Sequence, residues 1–189
     1  MPISFDKKII FIHIPKNAGT TVTKEFNMAE IGHHTPDYYM VRFPTEWNTF
    51  KKYAIIRNPW DRVVSCFEYA KMEETFWHSK SGITGFGTGN GPNPDSEILK
   101  DATFEECIEL LKSGQLKHQG WNSQHIYTHV NGEMVLDVLQ PMESISKDLP
   151  TINPSNRRDY REYYTTPALI DAVGDIYKKD IELFGFTYE

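Results

Sequence analysis

The chain has 189 residues, enough for one domain with a sizeable core, and 39% hydrophobic content with 13% aromatic residues argues against a disordered segment. The net charge of −6 gives no support to general nucleic-acid binding, so any cations that matter act locally. Cys66 and Cys107 lack metal-type spacing, no stretch has the length of a membrane span, and the N-terminus lacks the apolar core of a signal peptide. The expectation is a cytoplasmic protein with one domain over residues 1–189.

Residues 8–14 are a short apolar run with β-branched side chains, which reads as one buried strand of a parallel sheet. Pro15 stops it. Lys16-Asn17-Ala18-Gly19 then forms a tight turn, and Thr20 is placed to cap a helix over residues 21–26. Such a turn aims backbone N–H groups and the positive end of a helix dipole at one spot. Lys16 and the hydroxyls of Thr20 and Thr21 stand beside it, an arrangement suited to phosphate or sulfate. It is not a Walker turn, in which the lysine directly follows the last glycine; here Lys16 precedes Gly19 by three positions. Taken alone, Lys-x-x-Gly-Thr-Thr is equally an ordinary strand-to-helix turn with a surface lysine.

The loop Ile31-Gly32-His33-His34-Thr35-Pro36 carries two adjacent histidines, but neighbours rarely face one ion and no Cys or carboxylate joins them at ligand spacing. No metal is expected, and a loop histidine bonded to backbone is the plain alternative to a functional one. Residues 44–50 read as a short helix with Trp47 and Phe50 packed inward as core. A second buried strand over 53–57 ends in Arg57, with Asn58 as N-cap and Pro59 at the first helical position. The helix that follows runs to about residue 74 with Val63, Val64, Phe67 and Ala70 on its apolar face and a buried, free Cys66. Arg57 lies at the carboxyl end of a parallel strand, the edge where open α/β sheets bind ligands. Ser65, two turns into the helix, reaches that ligand only from the face turned towards Arg57.

Residues 79–96 shift to Gly, Asn, Pro and Ser, with Gly82, Gly85, Gly87, Gly89 and Gly91, and are expected as a long functional loop with glycine hinges. Thr103-Phe104-Glu105-Glu106 has the form of a capping box, opening a helix with Phe104, Cys107, Ile108 and Leu111 inward and Gly114 closing it. Asn131-Gly132 between residues 126–130 and 133–139 signals a hairpin, and 135–139 is apolar enough to join the central sheet. Arg157, Arg158 and Arg161 follow a turn-rich segment, where a solvated basic patch is the plain reading. Pro167 opens a last helix striped by Leu169, Ile170, Val173, Ile176, Tyr177 and Ile181, and Gly185 ends it. This order of elements predicts an α/β fold around a mainly parallel sheet.

Two segments, Phe11-Ile12-His13-Ile14-Pro15-Lys16-Asn17-Ala18-Gly19-Thr20-Thr21 and Arg57-Asn58-Pro59-Trp60-Asp61-Arg62-Val63-Val64-Ser65, together resemble the paired motifs of the PAPS-dependent sulfotransferases. The likeness is to the branch containing the carbohydrate sulfotransferases. The run Asn153-Pro154-Ser155-Asn156-Arg157-Arg158-Asp159-Tyr160, with residues 180–186, is similar to the end of that family, so the resemblance spans most of the chain. It implies a single-domain, P-loop-like three-layer sandwich, a central mainly parallel sheet flanked by helices. It also implies PAPS as sulfuryl donor with no metal, and a glycan or other hydroxyl compound as acceptor. By the same resemblance Lys16, Asn17, Ala18, Gly19, Thr20 and Thr21 hold the 5′-phosphosulfate. Arg57 and Ser65 hold the 3′-phosphate, with Ser155 and Arg157 in a loop over it. The glycine-rich loop over 79–96 is expected, from its composition rather than from the resemblance, to be a mobile cover over the acceptor. A Gly-x-His-x-Thr/Ala element near the acceptor maps onto His34, with His33 as the neighbouring alternative. A Pro-Gln element associated with the acceptor side maps onto the segment holding His118, Trp121 and Gln124, with Ser123 in place of the proline. Met142-Glu143 matches a dipeptide that opens a short helix, with Glu143 structural. Animal members with an N-terminal Golgi anchor differ from this chain at that end.

The chemistry so implied is in-line transfer of SO₃ to an acceptor oxygen, where positioning and charge stabilisation dominate. Lys16 stabilises charge on the leaving phosphate, and the backbone N–H groups of residues 17–21 complete the cradle. Arg57 and Ser65 distinguish PAPS from ATP, the arginine by a bidentate grip. His34 is the expected base because imidazole is poised near neutral pH, with His33, Glu68 and His13 as alternatives. Two other readings stand beside this one. A non-catalytic nucleotide- or glycan-binding module would lack the motif lysine, and Lys16 is present. An ATP or GTP kinase would need the Walker order and a Mg-binding Asp where Arg57 stands.

Overall fold

A computed structural model of the chain describes residues 2–28, 32–75, 77–81, 91–145 and 157–189. It is a mixed α/β structure that divides into two units, Met1–Arg57 with Asn122–Ile152 and Asn58–Trp121 with Asn153–Glu189.

The first unit is built on a four-stranded sheet in the order β1-β2-β3-β6. β1 (Ile3–Ser4) pairs antiparallel with β2 (Ile9–Ile12), which pairs parallel with β3 (Lys51–Ile56). β6 (Val138–Pro141) pairs parallel with β3 on the other side. Ile10, Phe11 and Ile12 are consecutive and all buried, as are Ala54, Ile55 and Ile56. Burial of both parities is the mark of strands covered on both faces and explains why these runs are continuously apolar. Phe11, Val22, Met28 and Ile55 form one cluster, with Ile9, Phe26, Tyr53, Met142 and Ile145 packed against it. Fully burying side chains of this size contributes about 1.5–3 kcal/mol each.

Between β2 and β3 run α1 (Gly19–Glu25), α2 (Pro36–Arg42) and α3 (Pro44–Thr49). α2 has no counterpart in the sequence reading, and prolines open both α2 and α3 at positions where a missing N–H costs nothing. Trp47 and Phe50 are not core: both remain half-exposed, Phe50 edge-on to Phe5 and Trp47 beneath the Lys52 ammonium. The Asn131-Gly132 turn joins β4 (His129–Val130) to β5 (Glu133–Met134), with both turn residues at positive φ (52° and 86°) as a type I′ connection demands. The run 133–139 splits: its start completes the hairpin, and its end enters the central sheet as β6. A short 3₁₀ turn, Met142–Ser144, follows β6.

The second unit is helical. α4 (Pro59–Lys71) is capped by the Asn58 side chain, which accepts from the Trp60 N–H, and buries Val63, Val64, Cys66, Phe67 and Ala70. It ends at Lys71, short of residue 74, because Glu74 turns into a bridge with Ser79. α5 (Ser96–Leu99) is a single turn that begins where the loop expected over residues 79–96 ends. Residues 82–90, which hold most of the proposed hinge glycines, lie outside the described residues. α6 (Phe104–Lys112) carries both halves of the Thr103/Glu106 capping box. It closes on Gly114 at φ 69°, where Gln115 N–H reaches Leu110 O and Gly114 N–H reaches Leu111 O. The expected last helix is two, α7 (Pro167–Ile176) and α8 (Lys178–Phe184), with Gly185 in the left-handed region at the end. The break falls at Tyr177, whose buried hydroxyl donates to Trp121 O. Trp60, Phe67, Phe104, Tyr163, Tyr164 and Tyr177 form the heart of this core. The Tyr164 hydroxyl is satisfied by Trp60 O, and the Trp60 indole N–H by Ile170 O. Cys66 and Cys107 are free and buried, and burial pushes the Cys107 thiol well above its ordinary pKa.

Candidate functional site

The register of the parallel strands brings the candidate residues to one edge of the first unit. Ile12 of β2 lies opposite Ala54 of β3, so both chains leave the sheet at the same carboxyl edge, one into residues 13–18 and the other into Arg57. Pro15 is buried, and the chain then reverses through Lys16 at φ 67° and Ala18 at φ 57°, with Asn17 between them outside the left-handed region. Left-handed residues on either side of one that is not are the kind of backbone from which nests, concavities lined by N–H groups, are built. Left-handed geometry in non-glycine residues costs about 1–3 kcal/mol each and persists only where surrounding contacts impose it.

Those contacts are specific. Asn17 is buried, and its Nδ2 donates to Ile55 O at 2.8 Å and to Gln124 Oε1 at 2.7 Å. Arg57 Nη1 donates to Lys16 O at 2.7 Å. Gln124 completes the frame: its Oε1 also accepts from the Arg57 N–H at 2.9 Å, and its Nε2 donates to Arg57 O at 2.8 Å. The Asn17 side chain is thus an anchor of the turn.

The turn differs from the sequence expectation in its capping. α1 starts at Gly19 and is capped by Ala18, with no side-chain cap; Thr20 lies inside the helix. Asn17 N–H goes to Ile14 O and Thr21 N–H to Ala18 O, so these two groups serve the turn itself. The N–H groups of Ala18 and Gly19 have no acceptor among the described residues. With seven residues α1 brings little macrodipole, so any attraction for an anion at this turn would rest on the local N–H groups. Thr23 Oγ1 donates back to Gly19 O and Thr20 O within the helix.

Gly19 is required by a close approach. A Cβ there would fall on the His13 imidazole. His13 in turn is stacked on Phe11 and meets the His33 ring edge-on, with centroids 4.3 Å apart. His33 Nδ1 lies 3.0 Å from His13 O; a carbonyl only accepts, so Nδ1 carries the proton and Nε2 is the basic nitrogen. His34 is stacked face to face on Tyr38 at 3.8 Å. Of the two adjacent histidines, His33 is the one tied to His13, just ahead of the Lys16–Ala18 turn. Tyr39, beside His34, is buried, and that burial holds its phenol far above the ordinary range.

The remaining expected residues belong to the second unit. Ser65 is buried on α4. Arg157 pairs with Asp61 in the first turn of α4 at 2.5 Å, so its guanidinium is engaged by a carboxylate. Glu68 accepts from the Tyr163 hydroxyl at 2.9 Å. Ser155 lies outside the described residues. Among the described residues no group of three or more His, Cys, Asp or Glu is placed to hold a metal ion, and no helix is long and apolar enough to cross a membrane.

Gln124, which the family resemblance associated with the acceptor side, is instead bonded to Asn17 and Arg57, a part that sequence reading did not foresee. Its partners Arg57 and Asn17 lie 67 and 107 positions away, so no local pattern announces it. The Pro-Gln-like element was the one available signal. Searches of known family models, curated proteins and solved structures gave no match to this chain.

Proposed function

We propose that the protein is a PAPS-dependent sulfotransferase acting on a hydroxyl of a carbohydrate or similar compound, on a P-loop-like three-layer fold. The observation that carries this reading is the nest over Lys16–Ala18, hydrogen-bonded to Arg57 at the carboxyl edge of a parallel sheet. Two cationic residues, Lys16 and Arg57, and the N–H groups of Ala18 and Gly19 in one small frame suit a ligand bearing two separate anionic groups, as PAPS does. A kinase reading finds neither the Walker order nor an Asp at the end of β3, where Arg57 stands.

In this reading the N–H groups of Ala18 and Gly19 hold the 5′-phosphosulfate, and the Lys16 ammonium offsets charge gathering on the phosphate as the sulfuryl group leaves. Arg57 takes the 3′-phosphate. Ser65, Ser155 and Arg157 enter through the family resemblance alone. PAPS, when bound, supplies an activated sulfuryl group. His33, with its proton fixed on Nδ1, accepts the proton of the acceptor hydroxyl at Nε2. His34, first in the sequence reading, becomes the second choice.

Calorimetric titration with PAP, ATP and ADP, with and without Mg²⁺, tests the donor. Metal-independent binding of PAP, lost in Arg57→Ala, is expected. Lys16→Ala keeps PAP binding but loses transfer from labelled PAPS to a panel of sugars and other hydroxyl compounds. Preference for Mg-ATP overturns the reading. PAP binding with no transfer to any of the panel would favour a non-catalytic binding module.

A further inference from the structure

We infer that Gln124 is a positioning residue that sets donor selectivity, by fixing the spacing between the Lys16–Ala18 turn and Arg57 while adding no charge beside the arginine. The inference rests on the sulfotransferase reading of the same turn.

The geometry argues for it directly. Gln124 has no solvent exposure, and its single carboxamide accepts from Asn17 Nδ2 and Arg57 N–H and donates to Arg57 O. Asn17 is the middle residue of the nest, and Arg57 also grips Lys16 O. The turn and the arginine are therefore linked twice, once through the arginine's own guanidinium and once through Gln124. A ligand with one anionic group needs only one end of this frame. A ligand with two needs both ends at the right separation, so the Gln124 link affects it most.

The chemistry also requires an amide at this position. A carboxylate of the same shape still accepts on one oxygen, but the second oxygen then faces the Arg57 carbonyl at the distance of a hydrogen bond with no proton between them. It further places a negative charge next to the residue assigned to a phosphate, where it competes for the guanidinium. A change at Gln124 that only loosened the fold would weaken all ligands alike. The positioning role predicts a selective loss.

The experiment compares affinities for PAP, which carries a 3′- and a 5′-phosphate, and 5′-AMP, which lacks the 3′-phosphate, in wild type and Gln124→Glu. In wild type PAP binds well over tenfold more tightly. In Gln124→Glu, PAP weakens by about 10–100-fold, the size of one lost charge-assisted contact, while 5′-AMP changes by less than about threefold on the same scale. An unchanged PAP-to-AMP ratio in a folded Gln124→Glu protein overturns the inference and leaves the sulfotransferase reading standing. A wild type that does not prefer PAP over AMP removes both. If Gln124→Glu fails to fold, side-chain amide exchange in labelled wild type decides the matter. Slower exchange of the Gln124 amide with saturating PAP than with saturating AMP supports the role, and equal exchange refutes it.

Discussion

Replacing Gly19 by alanine sets two physical effects of opposite sign against each other. In a helix interior alanine is favoured over glycine by about 1 kcal/mol, and Gly19 is the first residue of α1 without a positive φ, so its backbone raises no objection. The new methyl, however, meets the Cδ2 and Nε2 atoms of His13. That ring is only 3% exposed, stacked on Phe11 and set edge-on to His33, so it cannot swing aside as a flexible chain end would. Overpacking costs about 1–3 kcal/mol, and overlap with a confined ring belongs at the upper end. The net effect is a loss of about 1–2 kcal/mol, which for a chain of this length lowers the Tm by about 2–8 °C. In a His13→Ala background the methyl enters space the ring has vacated, and the same substitution becomes neutral or stabilising by up to about 1 kcal/mol. Thermal melts of wild type, both single variants and the double variant measure the coupling. A Gly19→Ala protein as stable as wild type, or an equal loss in both backgrounds, would refute the argument.

The base assignment predicts that His33→Ala lowers turnover by about 10²–10⁴-fold with PAP affinity retained, while His34→Ala stays within about tenfold of wild type; the reverse order would move the base to His34. Asp137 supplies a pH-dependent contribution to the sheet edge. Burial raises its pKa, but the Lys52 N–H at 2.7 Å, the Lys52 ammonium at 2.9 Å and the Lys51 charge together hold it below its ordinary value. A depressed folded pKa means stability present above the unfolded value of about 3.9 and lost as the pH falls through the folded one. The side chain is 43% exposed, so solvent screening limits the contribution to less than about 1 kcal/mol. Urea melts should show Asp137→Asn less stable than wild type at neutral pH, with the gap closing in acid; a gap that persists there would sink this account.

Much of the fold was legible wherever a few adjacent residues settle the backbone. Asn58-Pro59, the Thr103/Glu106 box, Gly114, Asn131-Gly132 and Gly185 all act within a turn of chain, and each does in three dimensions what its local chemistry demands. Where continuity of the pattern was the only guide, it misled. The apolar stripe from Leu169 to Ile181 runs on unbroken, yet the helix stops where the buried Tyr177 reaches Trp121 O. Trp47 and Phe50 have the spacing of a buried pair and are not one.

The same division holds at the candidate site. The sequence by itself determined that Lys16, Gly19 and Arg57 would stand at strand ends, because β-branched runs stop at Pro15 and before Asn58-Pro59, and parallel pairing brings carboxyl ends to one edge. Only the tertiary structure decided how the turn is held. Its left-handed residues are unfavourable locally and are imposed by Asn17, Arg57 and Gln124, which meet across separations of up to 107 residues. It also gives His33 and His34 different surroundings: adjacent in the chain and alike in chemistry, they differ in that one bonds to His13 O and the other stacks on Tyr38. Propensity and periodicity extend over a few residues, whereas the selection of one imidazole or one buried carboxamide depends on which distant groups packing brings within hydrogen-bonding reach.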